Sequence, residues 1–532
     1  MSSIGRASVL IGAGTIASRV SGVLRTIVLV AAIGSQSRAG DAFAVANQLP
    51  NNIYAIISTG LLTAVVVPQI VKAAAHADGG QAFISKLFTL GTVGLLGATA
   101  LAMIAAPLLV QVYASKFTGD QLALSTAFAY WCLPQIFFYG LYALLGEILN
   151  ARRVFGPYTW APIVNNVVSI AGFGAFILLF GGPQENVGAW TPSMITLLAA
   201  TATGGIVVQT VVLMFFWRRA GLTLRPDFQW KGVGLRHISR LAGWTFLMVV
   251  AGQLAGIVQS NVLSGASGND PAIFASQNAW LLFMLPYSII VLSIGTPYFT
   301  QLSEHATAGR DEDVRADIAR SIRTLGFFIV AATAALAVAA VPASRIFTKN
   351  PEQALAAAPV LWCFLVSLVP LAVLFVIQRT FYAYNDTRTP FFFTLLQCVL
   401  VAAGALAAGA ALDRSELAAG VALTQSFASI VQVIVATILL RRRLSGIGTG
   451  SWLPALGRFA LAAIPAAAAG WGTLLLLGGP EGWMTSSVGA GIAGAAVLGI
   501  VVLAVYIGIL ALFRTTELAP ALALGRRFLP KR

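Results

Sequence analysis

Ala7-Ser8-Val9-Leu10-Ile11-Gly12-Ala13-Gly14-Thr15-Ile16-Ala17-Ser18-Arg19-Val20-Ser21-Gly22-Val23-Leu24-Arg25-Thr26-Ile27-Val28-Leu29-Val30-Ala31-Ala32 is apolar almost throughout, yet it contains two arginines. About 20 apolar residues in a helix cross the hydrocarbon core of a bilayer. A charge at that depth costs about 2.5–3.5 kcal/mol on insertion scales, so it is found facing water, a partner or a substrate. The run is too long and too charged for a cleavable signal peptide. It reads as a first membrane helix that carries a cationic function.

The rest of the chain agrees with a membrane setting. Of its 532 residues 58% are hydrophobic and only 10% charged, with 52 glycines. Such a composition excludes a soluble domain and suits closely packed helices in lipid. Long unbroken apolar runs favour helices over the short alternating strands of a barrel. Fourteen apolar segments are expected, at 7–33, 41–71, 87–114, 121–150, 157–181, 193–217, 241–265, 271–300, 321–346, 354–383, 390–412, 415–440, 456–478 and 485–513.

The basic residues then sort by side. Alternate connections, counted with both termini, hold 26 of the 33 Lys and Arg, Arg379 among them. The other side holds Arg38, Lys116, Arg345, Lys349 and Arg414, and the remaining two are Arg19 and Arg25. The positive-inside rule puts both termini in the cytoplasm. The net charge of +15 is thus topology and attraction to anionic membrane lipids, spread over short loops, and it gives no nucleic-acid partner.

Cys132, Cys363 and Cys398 lie in apolar runs without metal or disulfide spacing. His76, His237 and His305 read as solvated connection residues, and Asp311-Glu312-Asp313 as a solvated cluster. No cofactor or metal is expected.

The chain repeats itself. Pro68 matches Pro297, Leu49-Pro50 matches Leu285-Pro286, and the stretch ending at Pro157 matches the one ending at Pro390. The separations, 229, 236 and 233 residues, span six segments, an even number, so the halves run in the same direction. The expected fold is all-α and polytopic: two six-helix halves related by a pseudo-two-fold axis around a central cavity, plus two C-terminal helices. The expected domains are 1–219, a cytoplasmic linker at 220–240, 241–441, and 442–532 with the last two helices and a basic tail.

Ser18, Ser21 and Arg25 fall at i, i+3 and i+7, on one face of the first helix, with Arg19 at its border. Either Arg25 snorkels outward or pairs with Asp41, or both arginines form a cationic patch in water. A guanidinium fork suits phosphate. Pro50 and Pro286 bend matching helices, as gates or as plain kinks.

Ser18-Arg19-Val20-Ser21-Gly22-Val23-Leu24-Arg25, Asp41-Ala42-Phe43, Leu49-Pro50-Asn51, Gly146-Glu147-Ile148-Leu149-Asn150, Leu285-Pro286 and Phe381-Tyr382-Ala383 with Asp386-Thr387-Arg388-Thr389-Pro390 resemble, in order and spacing, the MurJ (MviN) family of lipid II flippases. That family belongs to the multidrug/oligosaccharidyl-lipid/polysaccharide exporter superfamily. The resemblance implies a flippase, not an enzyme, moving a polyprenyl-pyrophosphate-linked peptidoglycan precursor to the outer leaflet of the bacterial plasma membrane. Cell-wall synthesis proteins are its candidate partners.

It also implies that Arg19, Arg25 and Asp41 line the cavity, and that the last two helices hold the polyprenyl tail. Ser18 and Asn51 join the candidate substrate contacts, and Pro50 and Pro286 are the candidate gates. The chain departs from the family at Thr26, at Tyr54 and in Asn278-Ala279-Trp280-Leu281-Leu282, where many members carry a charge. Between Arg240 and Arg310 it has no Lys or Arg. Export of another polyprenyl-linked glycan, or of a drug, is the alternative, with a polyprenyl-phosphate glycosyltransferase behind it.

Overall fold

The computed structural model describes residues 3–58, 81–151, 156–217, 226–228, 235–513, 515 and 517. Every regular element among them is helical, as it must be where the bilayer offers backbone groups no hydrogen-bond partner. Thirteen helical stretches are long and apolar enough to cross a membrane. Each falls on one of the fourteen expected segments. The segment at 41–71 is described only as far as Ser58, and Pro68 lies outside the described residues. The chain forms two compact units, Met1–Phe274 and Ala275–Arg532.

The first unit contains α1 (Ser3–Ile33), α2 (Arg38–Ile57), α3 (Gln81–Ile104), α4 (Ala106–Tyr113), α5 (Gly119–Cys132), α6 (Gln135–Ala151), α7 (Gly156–Phe180), α8 (Pro192–Trp217) and α9 (Leu235–Leu263). Ser37 caps α2: its backbone is extended and its hydroxyl accepts the Gly40 amide at 2.9 Å. Gly40 has no substitute there, because a Cβ would lie 2.3 Å from the Gly34 carbonyl oxygen. α1 packs along α7, and α7 along α8. Leu144, Leu145, Ile148 and Leu149 of α6 form a buried core with Ile84, Leu87 and Leu213.

The second unit contains α10 (Ile273–Pro286, whose first two residues belong to the first unit), α11 (Ser293–Thr307), α12 (Asp311–Val338), α13 (Ala340–Arg345), α14 (Pro351–Leu365), α15 (Leu368–Ala383), α16 (Arg388–Ala411), α17 (Arg414–Arg443), α18 (Thr449–Leu476) and α19 (Val488–Leu512). Asp311, Glu312 and Asp313 open α12, where the helix dipole favours negative charge. The core joins Phe327 and Val330 of α12 to Phe459 of α18 and to Leu498, Val502 and Tyr506 of α19. In lipid such contacts rest on close packing rather than on exclusion of water. Tyr506 donates its buried hydroxyl to the Phe327 carbonyl at 3.0 Å.

Polar side chains brace the turns of this unit. Asp386 accepts the Thr389 amide at 3.0 Å and Arg443 Nη1 at 2.6 Å, so the α15–α16 turn is tied to the end of α17. His305 is not a solvated loop residue. It lies on α11, mostly buried, 2.7 Å from Asp317 of α12. Nor is Arg379 a connection residue: it lies on α15, within the span Pro351–Ala383. At the α18–α19 turn, buried Arg345 donates to the carbonyls of Thr485 at 2.7 Å and Thr348 at 2.6 Å.

The two matched prolines are accommodated differently. Pro50 lies inside α2, which continues to Ile57. Pro286 ends α10 and is followed by a π-helical turn, Tyr287–Leu292, before α11 resumes the span. The wider turn absorbs the backbone hydrogen bond that proline cannot make.

Candidate substrate-binding site

In the first unit, Ser18, Arg19, Ser21 and Arg25 come from α1, and their surroundings differ. Asn166 of α7 donates to the Ser18 carbonyl at 3.2 Å and to the Ser21 hydroxyl at 2.8 Å. The serine face of α1 is thus packed against α7. Arg19, one position round, is exposed, while Arg25 is partly buried.

Arg25 is within electrostatic reach of the phenol of Tyr139 on α6, and Asn51 of α2 is within hydrogen-bonding reach of the same phenol. Tyr54 stacks on Tyr139 with ring centroids 5.7 Å apart and planes 29° from parallel. Asn52 donates to the Tyr113 hydroxyl at 3.2 Å. Arg25 and Asn51 therefore converge on one tyrosine. A neutral phenol neighbour leaves the guanidinium's charge uncompensated, and among the described residues neither Arg19 nor Arg25 forms an ion pair.

Asp41 has no exposed surface. One carboxylate oxygen accepts the Ser267 hydroxyl at 2.7 Å and the other the Phe274 amide at 2.9 Å. Gln121 continues the network, donating to Ser267 at 2.7 Å and to the Arg38 carbonyl at 3.0 Å. Asp41 is thus engaged with Ser267 before α10 and with the first turn of α10, and does not pair with Arg25.

Three contributors escaped the sequence reading: Tyr139, Asn166 and Gln135. Gln135 is buried on α6 and donates to Asn47 at 3.3 Å and Thr203 at 3.0 Å. The signal available was polarity at depth: Asn165-Asn166 and Gln135 interrupt apolar segments, which in a membrane implies a partner. Tyrosine carries no such signal, being at home in apolar runs.

The second unit holds an apolar cavity of about 520 Å³. Its walls are Leu285, Pro286 and Ile290 around the π-turn, Phe327, Phe328 and Ala335 of α12, and Gly499, Leu503 and Tyr506 of α19. α18, expected to form half of an apolar groove, supplies none of the lining and packs on α12 through Phe459 and Phe327, 5.8 Å apart.

Thirteen described spans, a cationic helix face and an apolar cavity define a multi-span membrane transporter. A family model described as lipid II flippase MurJ matches residues 29–489. The chain belongs to that family. A Rhizobium tropici protein named "Probable lipid II flippase MurJ" is 26% identical over 447 residues, covering 82% of this chain and 80% of its own. One of the same name from Haemophilus influenzae is 25% identical over 405 residues, covering 71% and 75%.

Among solved structures, a lipid II flippase MurJ in an inward closed conformation is similar, with a TM-score of 0.72 at 19% identity over 94% of this chain and 98% of that one. An inward-facing multidrug resistance MATE transporter of the MOP superfamily reaches 0.64 at 16% identity, covering 80% and 94%. These two likenesses establish the fold.

Proposed function

We propose that this protein carries lipid II, a polyprenyl-pyrophosphate-linked peptidoglycan precursor, from the inner to the outer leaflet of the bacterial plasma membrane by alternating access, with both termini in the cytoplasm. The observation that carries the reading is the pair of arginines on α1 without carboxylate partners. A guanidinium held in apolar surroundings without a counterion is costly unless its donors meet an anion. Pyrophosphate fits, because it offers several oxygens to a planar fork of N–H groups.

Roles follow from the surroundings. Arg19, exposed on α1, makes the first contact with the headgroup. Arg25, with Asn51 behind Tyr139, holds it. Ser18 contributes through its carbonyl and its packing on α7. Asp41 keeps the segment 264–274 against α2 and Gln121, and so acts as a latch. Pro50 and Pro286 mark the bends about which the two spans flex. The cavity against α19 takes part of the polyprenyl chain, since flexible isoprenyl units need an apolar, loosely shaped wall. The process moves a lipid and breaks no covalent bond.

The test is replacement of the resident flippase in a bacterial depletion strain with this gene. Growth should be restored, and lipid II should become accessible on the outer leaflet. Normal expression in the membrane without lipid II exposure would overturn the proposal.

A further inference from the structure

Between Arg240 and Arg310 the chain has no Lys or Arg, so α10 and the first helices after the linker lack the intramembrane cations that α1 carries. Arg379 is the exception that the fold brings into play. It lies on α15, within the membrane span Pro351–Ala383, and is partly exposed. Its guanidinium carbon is 5.2 Å from the ring centre of Phe299 on α11 and 5.3 Å from that of Phe375 on its own helix. Tyr287 of the π-turn and Tyr382 are also within its electrostatic reach. The contact with α11 depends on Gly295. A Cβ there would stand 2.4 Å from the Phe375 ring and push the two helices apart.

The other buried or braced cations of the unit have fixed oxygen partners. Arg323 donates to Glu517 at 2.6 Å, Arg443 to Asp386 at 2.6 Å, and Arg345 to the carbonyls of Thr485 at 2.7 Å and Thr348 at 2.6 Å. Arg379 has none: among the described residues it makes no ion pair and no hydrogen bond. Aromatic rings attract a cation over their faces and stiffen it, but they do not use its N–H groups. Two such contacts give a guanidinium of fixed position whose donors remain unspent, a costly arrangement inside a span unless an anion meets it.

We propose that Arg379 is the second unit's anion contact, binding the lipid-linked pyrophosphate of the transported substrate. The inference rests on the function proposed above and adds to it a residue on α15, a helix from which no substrate contact was expected. The chemistry it recognises is a phosphate group on a lipid. The pyrophosphate is the better match, because its higher charge and several oxygens suit a fork that has no other acceptor.

The experiment uses the full-length purified protein and native mass spectrometry, with lipid II and with phosphatidylglycerol as probes. Arg379→Gln should weaken lipid II binding about tenfold, the order of one charge-assisted contact. Arg379→Lys should recover part of it, and phosphatidylglycerol binding should not change. Equal loss of both lipids would overturn the proposal, as would wild-type lipid II binding by Arg379→Gln when Arg19→Ala has lost it.

That second result would leave the flippase reading standing. If Arg19→Ala and Arg379→Gln both bind lipid II normally, that reading fails as well. Should Arg379→Gln melt far below the wild type, Phe299→Leu serves instead: it keeps the charge, removes one stacking face and should weaken binding about threefold. Unchanged binding by a folded Phe299→Leu would then overturn the proposal.

Discussion

Ser267 donates its hydroxyl to the carboxylate of Asp41 at 2.7 Å, joining residues 226 positions apart in the sequence. With the Phe274 amide on the other oxygen, Asp41 spends its acceptors on one short segment. Asp41→Ala should strand a buried amide and a serine hydroxyl, at a cost of about 1–3 kcal/mol for the unsatisfied donor. The thermal midpoint of the purified protein should fall. Asp41→Asn keeps one carbonyl acceptor and should fall less. Equal midpoints for Asp41→Ala and wild type would show that the network does not hold the segment.

Substitution of Arg19 separates charge from geometry. Arg19→Ala should abolish lipid II flipping while membrane levels stay normal, because the side chain is exposed and makes no ion pair whose loss would unfold α1. Arg19→Lys should restore flipping only in part, since a point charge lacks the planar fork. Arg25→Ala should lower flipping and destabilise as well, because Arg25 is partly buried and within electrostatic reach of Tyr139. Arg441→Ala should be mild, as Arg442 and Arg443 remain. Complementation growth, measured beside protein level, reads each outcome.

These expectations show what was legible in the chain. Charges inside apolar runs are visible in any sequence, so Arg19, Arg25 and the membrane spans could be read directly. Helical spacing told that Ser18, Ser21 and Arg25 share a face, but spacing does not say what the face meets. Asn166, about 145 positions away, supplied that answer. Asp41's partners are farther still, and no local pattern encodes them. The π-turn after Pro286 was hidden for another reason: proline signals a disturbed helix without specifying how the backbone recovers. In the sequence Arg379 reads as one of the topology charges because it lies close to a helix end, and only the placement of Phe299 and Phe375 sets it apart.

Alkaline pH should loosen one brace of the second unit. Tyr384 donates to Asp311 at 2.5 Å, and its phenol is pushed up to about 12. Burial is the larger cause, followed by the bond to Asp311 and that residue's charge, against the opposing pull of Arg443 and Arg315. The raised value means that the protonated phenol is favoured by folding. The stabilisation is complete below the ordinary tyrosine value of 10.0 and is lost as pH rises towards about 12. Tyr384→Phe should therefore be less stable than wild type at neutral pH, and the gap should close across that window. Denaturant midpoints measured at a series of pH values check it. A gap that stays constant to pH 12 would mean that the phenol contributes through packing alone.

The apolar cavity offers a test of tail binding that leaves the charged groups untouched. Gly499 of α19 lines it, and a Cβ there would meet no atom within 4 Å. Gly499→Trp can therefore direct its ring into the cavity of about 520 Å³ without forcing the helices apart. Filling the space should lower flipping at least several-fold while the thermal midpoint stays the same or rises, because a filled void gains contacts. Gly499→Ala adds one methyl group and should behave as wild type. Binding of a short-chain lipid II analogue should be less affected by Gly499→Trp than binding of the full-length lipid, since the shorter chain has less to lose. If Gly499→Trp flips lipid II at the wild-type rate, the polyprenyl chain runs elsewhere, and the cavity against α19 is not part of its path.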